Sequence, residues 1–302
     1  MNNAHKSPRF LILILSAVLA LALLSCQSGD DTPIATGPFT DSVASSDGNN
    51  IVYDVHGTSE RALVFVHCWC CDRGYWDAQV ERFSAQYRVV TIDLAGHGES
   101  GDNREAWTME LFGEDVAAVV TDLGLKDVIL VGHSMGGRVC IEAALRLPGI
   151  VKAIVGVDNF HALSAMPTAS DIDNFIDPMR EDFPEFTNQF VHSLFPSTAD
   201  TALVERVATD MAAAPPEVGI GAMEQIYGYD RAEALQEMRL PLRSINSDAF
   251  KVDVDGNREV AESYSVVTMS GVGHFLHMES PDDFNDLLNR TIMEFWPDQQ
   301  RE

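Results

Sequence analysis

DVILVGHSMGGRVCIEAALR, residues Asp127 to Arg146, is the stretch from which the rest of the chain can be read. Val128 to Val131 form a short apolar run with the character of a strand. The chain then turns through Gly132-His133-Ser134-Met135-Gly136-Gly137, after which Val139, Cys140, Ala143, Ala144 and Leu147 recur at helical spacing. The order is strand, sharp turn, helix. Gly-x-Ser-x-Gly alone recurs by chance, and the strand before it and the helix after it make it informative.

A serine on such a turn is held clear of both elements, where a base and a substrate can reach its hydroxyl. Gly132 and Gly136 remove side chains where strand and helix approach most closely. The first turn of the helix also leaves backbone N–H groups unpaired and aimed at a developing anion.

GHSMGG after an apolar strand resembles the nucleophile elbow of the α/β-hydrolase superfamily, a resemblance that extends over about residues 40 to 296. It implies a mostly parallel, doubly wound α/β sheet with an inserted helical cap, in the esterase- and lipase-like branch. It also implies a serine nucleophile that works without a cofactor or metal.

Upstream, Lys6 and Arg9 precede an unbroken apolar run from Phe10 to Leu24. A basic region followed by an apolar one of this length reads as a secretory signal, and it is rather short to span a bilayer. Leu23-Leu24-Ser25-Cys26 resembles a bacterial lipobox, which implies cleavage before Cys26, lipid on its thiol and a membrane anchor. Gln27 in the next position implies sorting to the outer membrane. The expected organisation is a signal peptide over 1–25, a flexible tether over 26–38, a core from 39–158 and 237–302, and a helical cap over 159–236.

The formal net charge is −26, from 46 acidic and 20 basic residues, and only four lysines occur. With no basic stripe to neutralise phosphates, nucleic acid is excluded as a partner. Such an acidic surface fits an exported or salty setting where screening weakens self-repulsion. The five cysteines are too few for a disulfide scaffold. Cys140 reads as a buried thiol on the elbow helix, and Cys68, Cys70 and Cys71 are too crowded for an ordinary tetrahedral metal site, leaving a disulfide or free thiols open.

Further strands are expected at Ala62 to Val66, Val89 to Ile92, Val151 to Val157, Leu242 to Ile245 and Ser265 to Met269, after a hairpin turning at Asp47-Gly48-Asn49. Short apolar strands alternating with helices, without strict period-2 alternation, indicate a parallel sheet covered on both faces. Between Asn159 and Gln236 the pattern changes to proline-divided, Phe- and Met-rich helical segments, too long for a structureless connection. The last helix is expected over Pro281 to Trp296, with Phe284, Leu287, Leu288, Ile292 and Phe295 inward.

A serine nucleophile needs a histidine base, and the histidine needs a carboxylate to fix its tautomer. His274, in the GVGHFLHMESP segment after the last strand, resembles the family histidine, with His277 as a decoy and Glu279 trailing it. Asp248, in PLRSINSD, resembles the usual acid and is the preferred one. Asp158 is its rival, because some members place the acid after the preceding strand. The resemblance implies oxyanion donors at the backbone N–H of Met135 and of Trp69. It departs at Cys68, where the family usually has glycine and where a β-carbon restricts the backbone. Asp93, Gly96, His97, Gly98 and Ser100 read as a structural loop, and Asp253 and Asp255 as a solvated turn rather than a calcium loop.

The expected activity is hydrolysis of a carboxylic ester in a small to medium acyl substrate. Amide, lactone and other cofactor-free hydrolase chemistry are the alternatives, as is a non-catalytic binding protein on the same fold.

Overall fold

The computed structural model describes residue 1, residues 37–164 and residues 166–297. The apolar leader, Cys26 and most of the tether lie outside the described residues.

The strands are β1 (Phe39–Ala44), β2 (Asn50–His56), β3 (Arg61–Val66), β4 (Arg88–Ile92), β5 (Asp127–His133), β6 (Val151–Val157), β7 (Leu242–Ser247) and β8 (Ser265–Met269). They form one sheet in the order β1-β2-β4-β3-β5-β6-β7-β8. The β1–β2 and β2–β4 pairs are antiparallel and the rest are parallel.

Central strands read as continuous apolar runs because helices cover both their faces. Alternate residues divide between two cores: Ala62, Val64 and Val66 of β3 and Val128 and Leu130 of β5 enter one, and Leu63, Phe65, Ile129 and Val131 enter the other. Phe112, Val116 and Val120 of helix Met109–Asp122, with Val139 and Cys140 of the elbow helix Met135–Arg146, close the first core. Phe83 of helix Asp77–Phe83 and Phe284, Leu288 and Ile292 of helix Pro281–Met293 close the second. Each such side chain contributes about 1.5–3 kcal/mol by leaving water. The last helix stops at Met293, three residues before the expected end, and Leu287 and Phe295 are only partly buried.

Helices Ala169–Glu181, Phe183–Ser193, Thr201–Ala212, Pro216–Gly228 and Arg231–Met238 lie between β6 and β7. Their starts follow side-chain chemistry. Thr168 and Asp171 make a reciprocal capping box, Asp182 and Asp200 accept first-turn N–H groups, and Pro216 occupies an early position where its missing N–H costs nothing. Pro178 falls inside the first of these helices rather than between segments. The insertion is joined to the sheet's carboxyl edge, where the Leu194 carbonyl accepts the His274 backbone N–H at 2.9 Å.

Candidate active site

Ser134 caps the elbow helix with φ +52 and ψ −113, a left-handed backbone that a non-glycine residue adopts only when its surroundings impose it. Its N–H donates to the Val157 carbonyl at 3.0 Å, and its own carbonyl accepts from Gly137 N–H at 3.1 Å and from the Asn159 side-chain amide. A β-carbon on Gly136 would collide with the carbonyls of Val66 and His67, so that glycine lets the start of the elbow helix sit directly against the end of β3.

His274 is brought to the elbow by the residue before the serine. The buried His133 ring donates from Nε2 to the His274 carbonyl at 2.9 Å, and the two imidazoles lie 4.6 Å apart between centroids. Burial, reinforced by the neighbouring histidines, keeps His133 neutral with its pKa well below the ordinary value. Glu279 clamps the same loop by accepting the N–H groups of Gly273 and Phe275. The decoy His277 is fully buried, packed against Trp76 and His133, and burial pushes its pKa down to about 3.

The carboxylate on His274 belongs to Asp158. Its Oδ2 lies 2.6 Å from His274 Nδ1, its Oδ1 accepts the Ser247 N–H at 2.9 Å, and its side chain is wholly buried. Burial alone would raise its pKa, but His161 at 3.6 Å and His274 outweigh that and hold it at about 2.

The preference for Asp248 is therefore corrected. Asp248 is exposed in the turn after β7, with its N–H on the Met269 carbonyl at 2.9 Å. Successive strand residues face opposite sides, and the inward position at this strand end is taken by Ser247, which donates its hydroxyl to the Val272 carbonyl at 2.6 Å. One residue of register removes Asp248 from the histidine. Asp158 faces it because a left-handed turn, φ +45, directly follows β6.

Sequence reasoning passed over the polar bed beneath that turn. The Asn159 carbonyl accepts from Ser244 Oγ at 3.2 Å and Asn246 Nδ2 at 2.8 Å, and its side chain accepts the Phe160 N–H at 2.6 Å. Its only signal was the pairing of two polar strand ends, Asp158-Asn159 and Asn246-Ser247.

In the loop after β3, Cys68 and Cys71 form a disulfide and Cys70 is a buried free thiol. The left-handed residue of this loop is Cys70, φ +55, and Cys68 is not among the positive-φ residues, so the missing glycine leaves an allowed backbone. His67 pins the loop. Nε2 accepts the Leu94 N–H at 3.0 Å, so Nδ1 carries the proton and donates to the Cys68 carbonyl at 2.7 Å. The Trp69 indole donates to the Gly219 carbonyl at 2.7 Å, tying the loop to helix Pro216–Gly228. Met135 begins the elbow helix, so its N–H has no intrahelical partner.

Asp93 accepts N–H groups of Arg73 and Glu99, and His97 Nδ1 lies 3.0 Å from the Ala95 carbonyl, so these residues are engaged in holding the loop. Asp253 caps helix Val254–Val260. Among the described residues no cluster of three or more His, Cys, Asp or Glu side chains could hold a metal.

Ser134, Asp158 and His274 line one cavity of about 390 Å³, together with Trp69 and with Phe190, Met223 and Tyr227 of the helical insertion. A nucleophile, an imidazole oriented by a buried carboxylate and an apolar chamber are what acyl transfer requires.

The alpha/beta hydrolase family model matches residues 63–287. The pimeloyl-[acyl-carrier protein] methyl ester esterase of Aliivibrio salmonicida is 28% identical over 244 residues, 76% of this chain and 91% of that protein. The karrikin insensitive 2 receptor CA of Petunia hybrida is 22% identical over 257 residues, 78% of this chain and 93% of the receptor. Among solved structures, a thermophilic esterase from Thermogutta terrifontis superposes with a TM-score of 0.74 at 21% identity, covering 85% of this chain and 99% of the esterase. With its sheet order and serine elbow, the chain belongs to the alpha/beta hydrolase family.

Proposed function

We propose that the protein is a serine hydrolase that cleaves a carboxylic ester through Ser134, His274 and Asp158. The observation that carries this reading is the Asp158 carboxylate on His274 Nδ1, in the cavity that Ser134 also lines. It leaves the other ring nitrogen of His274 as the base. His274 takes the Ser134 proton as the hydroxyl attacks the ester carbonyl. The oxyanion is held by the N–H groups of Met135 and Trp69, and the imidazolium returns the proton to the leaving alcohol. Water then repeats the sequence against the acyl-serine and releases the acid. A serine rather than an aspartate at the elbow supports acyl transfer over epoxide opening or dehalogenation, and ester over amide or lactone rests on the esterases among its relatives.

An organophosphonate probe should label Ser134, and Ser134→Ala should lose p-nitrophenyl acetate hydrolysis by at least about 10³-fold while melting like the parent. Full activity in that variant ends the proposal.

The chain is further proposed to be exported and anchored at the outer membrane through lipid on Cys26, on the strength of the basic start, the apolar run and the Leu-Leu-Ser-Cys sequence. Labelled palmitate incorporation that persists in Cys26→Ser overturns the anchor.

A further inference from the structure

The loop after β3 carries one of the two proposed oxyanion donors, and the aim of that donor is set by one peptide plane. The Trp69 N–H and the Cys68 carbonyl belong to the same trans peptide, so whatever fixes the carbonyl fixes the N–H opposite it. Two donors converge on that carbonyl, His67 Nδ1 at 2.7 Å and the Cys71 N–H at 3.3 Å. The Cys68–Cys71 disulfide keeps the second of them in place by closing the four-residue turn, with the two Cα atoms 5.3 Å apart. Such a turn needs holding, because its third residue, Cys70, has φ +55, a conformation that a β-carbon disfavours. The bond from the Trp69 indole to the Gly219 carbonyl fixes the far end of the side chain and leaves the peptide to these other ties.

The bridge also lies at the site. Cys68 lines the cavity that Ser134 and His274 share, and Cys71 lines a second cavity of about 300 Å³. Between them Cys70 is a buried free thiol. Burial, reinforced by the Asp210 charge, pushes its pKa up, so it stays protonated and does not exchange with the bridge beside it.

We propose that Cys68 and Cys71 are positioning residues whose disulfide aims the Trp69 N–H at the oxyanion, so that the oxidised chain is the fast form and the reduced chain a slow one. This rests on the ester-hydrolase reading above and adds to it a dependence on one covalent bond. A dithiol opens the bridge: its own two sulfur atoms join as a disulfide, and two electrons and two protons pass to Cys68 and Cys71. Cys70 is then released from the left-handed region and the Cys71 N–H from the Cys68 carbonyl, which leaves His67 alone to hold the peptide plane. The oxyanion forms only as the acyl carbon becomes tetrahedral, so the loss falls on kcat and not on substrate binding.

The test compares oxidised protein with protein reduced by dithiothreitol, the two new thiols being counted by alkylation and mass. Reduction should lower kcat for p-nitrophenyl acetate by about 10- to 100-fold with KM within about twofold, and should weaken a trifluoromethyl ketone, which forms a tetrahedral adduct on Ser134, by a similar factor. Reoxidation should restore both. The double variant Cys68→Ser/Cys71→Ser, which keeps the volume and loses the bond, should be slow and indifferent to dithiothreitol, whereas Cys70→Ala should still respond. Unchanged kcat in fully reduced protein, or a loss carried by KM alone, overturns the proposal, and the dithiothreitol arm decides should the double variant misfold. If neither redox form turns over any ester, the hydrolase reading fails. Deuterium exchange at the Trp69 amide on the same samples then decides the loop: faster exchange after reduction keeps the bridge as the holder of this peptide, and unchanged exchange removes it.

Discussion

The ends of β6 and β7 lie side by side at the carboxyl edge of the sheet, and each is followed within one residue by an aspartate. Asp158 is buried on His274, and Asp248 is exposed to solvent. The two strand ends are alike in sequence character and differ in backbone. Each aspartate N–H still donates to the next strand, Asp158 to the Ile245 carbonyl and Asp248 to the Met269 carbonyl, both at 2.9 Å, but a left-handed residue directly after β6 turns its carboxylate towards the histidine, while β7 has its inward position filled by Ser247. A carboxylate at a strand end is thus available chemistry, and whether it acts is decided by register and one φ angle.

The sharpest way to break this contrast is Asp158→Asn, which leaves the packing volume in place but removes the charge that holds the imidazole tautomer. It should lower kcat by about 10³- to 10⁴-fold on an activated ester. A loss under tenfold would return the acid's role to another residue. Because the Asp158 pKa is held well below the ordinary carboxylate value, at about 2, a fall of activity in the pH range where free carboxylates titrate, about 4, has its origin in other groups.

Next in size is Asn159→Ala, which strips the Ser134 carbonyl and the Phe160 N–H of buried partners and should cost about 1–3 kcal/mol in stability, read as a lower melting temperature. The pH dependence of stability comes from buried histidines. Burial depresses His67 to about 4 and His97 and His277 to about 3, so below pH 6.5 the unfolded chain binds protons that the folded one refuses. Stability is therefore full above pH 6.5 and falls as the pH drops towards 3 to 4, each histidine contributing up to about 1.4 kcal/mol per pH unit. His277→Phe should flatten a plot of melting temperature against pH across that window, and an unaltered slope would count against the neutral buried imidazole. The smallest effect belongs to the other strand end: Asp248→Asn should change kcat/KM by less than about twofold and stability by less than about 0.5 kcal/mol.

Much of the site was legible because its chemistry is local. The serine elbow needs glycine at particular neighbours of one residue, and Gly132-His133-Ser134-Met135-Gly136 displays that requirement in five letters. His274 was legible for a similar reason, since its loop follows directly on β8 and is closed by its own Glu279. The acid was not, because Asp158 and Asp248 satisfy the same local rule and are separated only by contacts across strands 89 residues apart, as between Asp158 and Ser247. Cys68 was equally ambiguous. Its tolerance depends on the loop's left-handed turn falling at Cys70, a property of the folded backbone.

By itself the sequence determined the sheet, because apolar runs of strand length between amphipathic helices can bury both faces only by stacking as a covered parallel sheet. It singled out Ser134 and His274, the nucleophile and base of the proposed reaction, for the same reason of short range. Tertiary structure alone decided which aspartate faces the histidine and that Phe190, Met223 and Tyr227 line the same cavity as Ser134, because each depends on side chains that meet only after distant segments have packed.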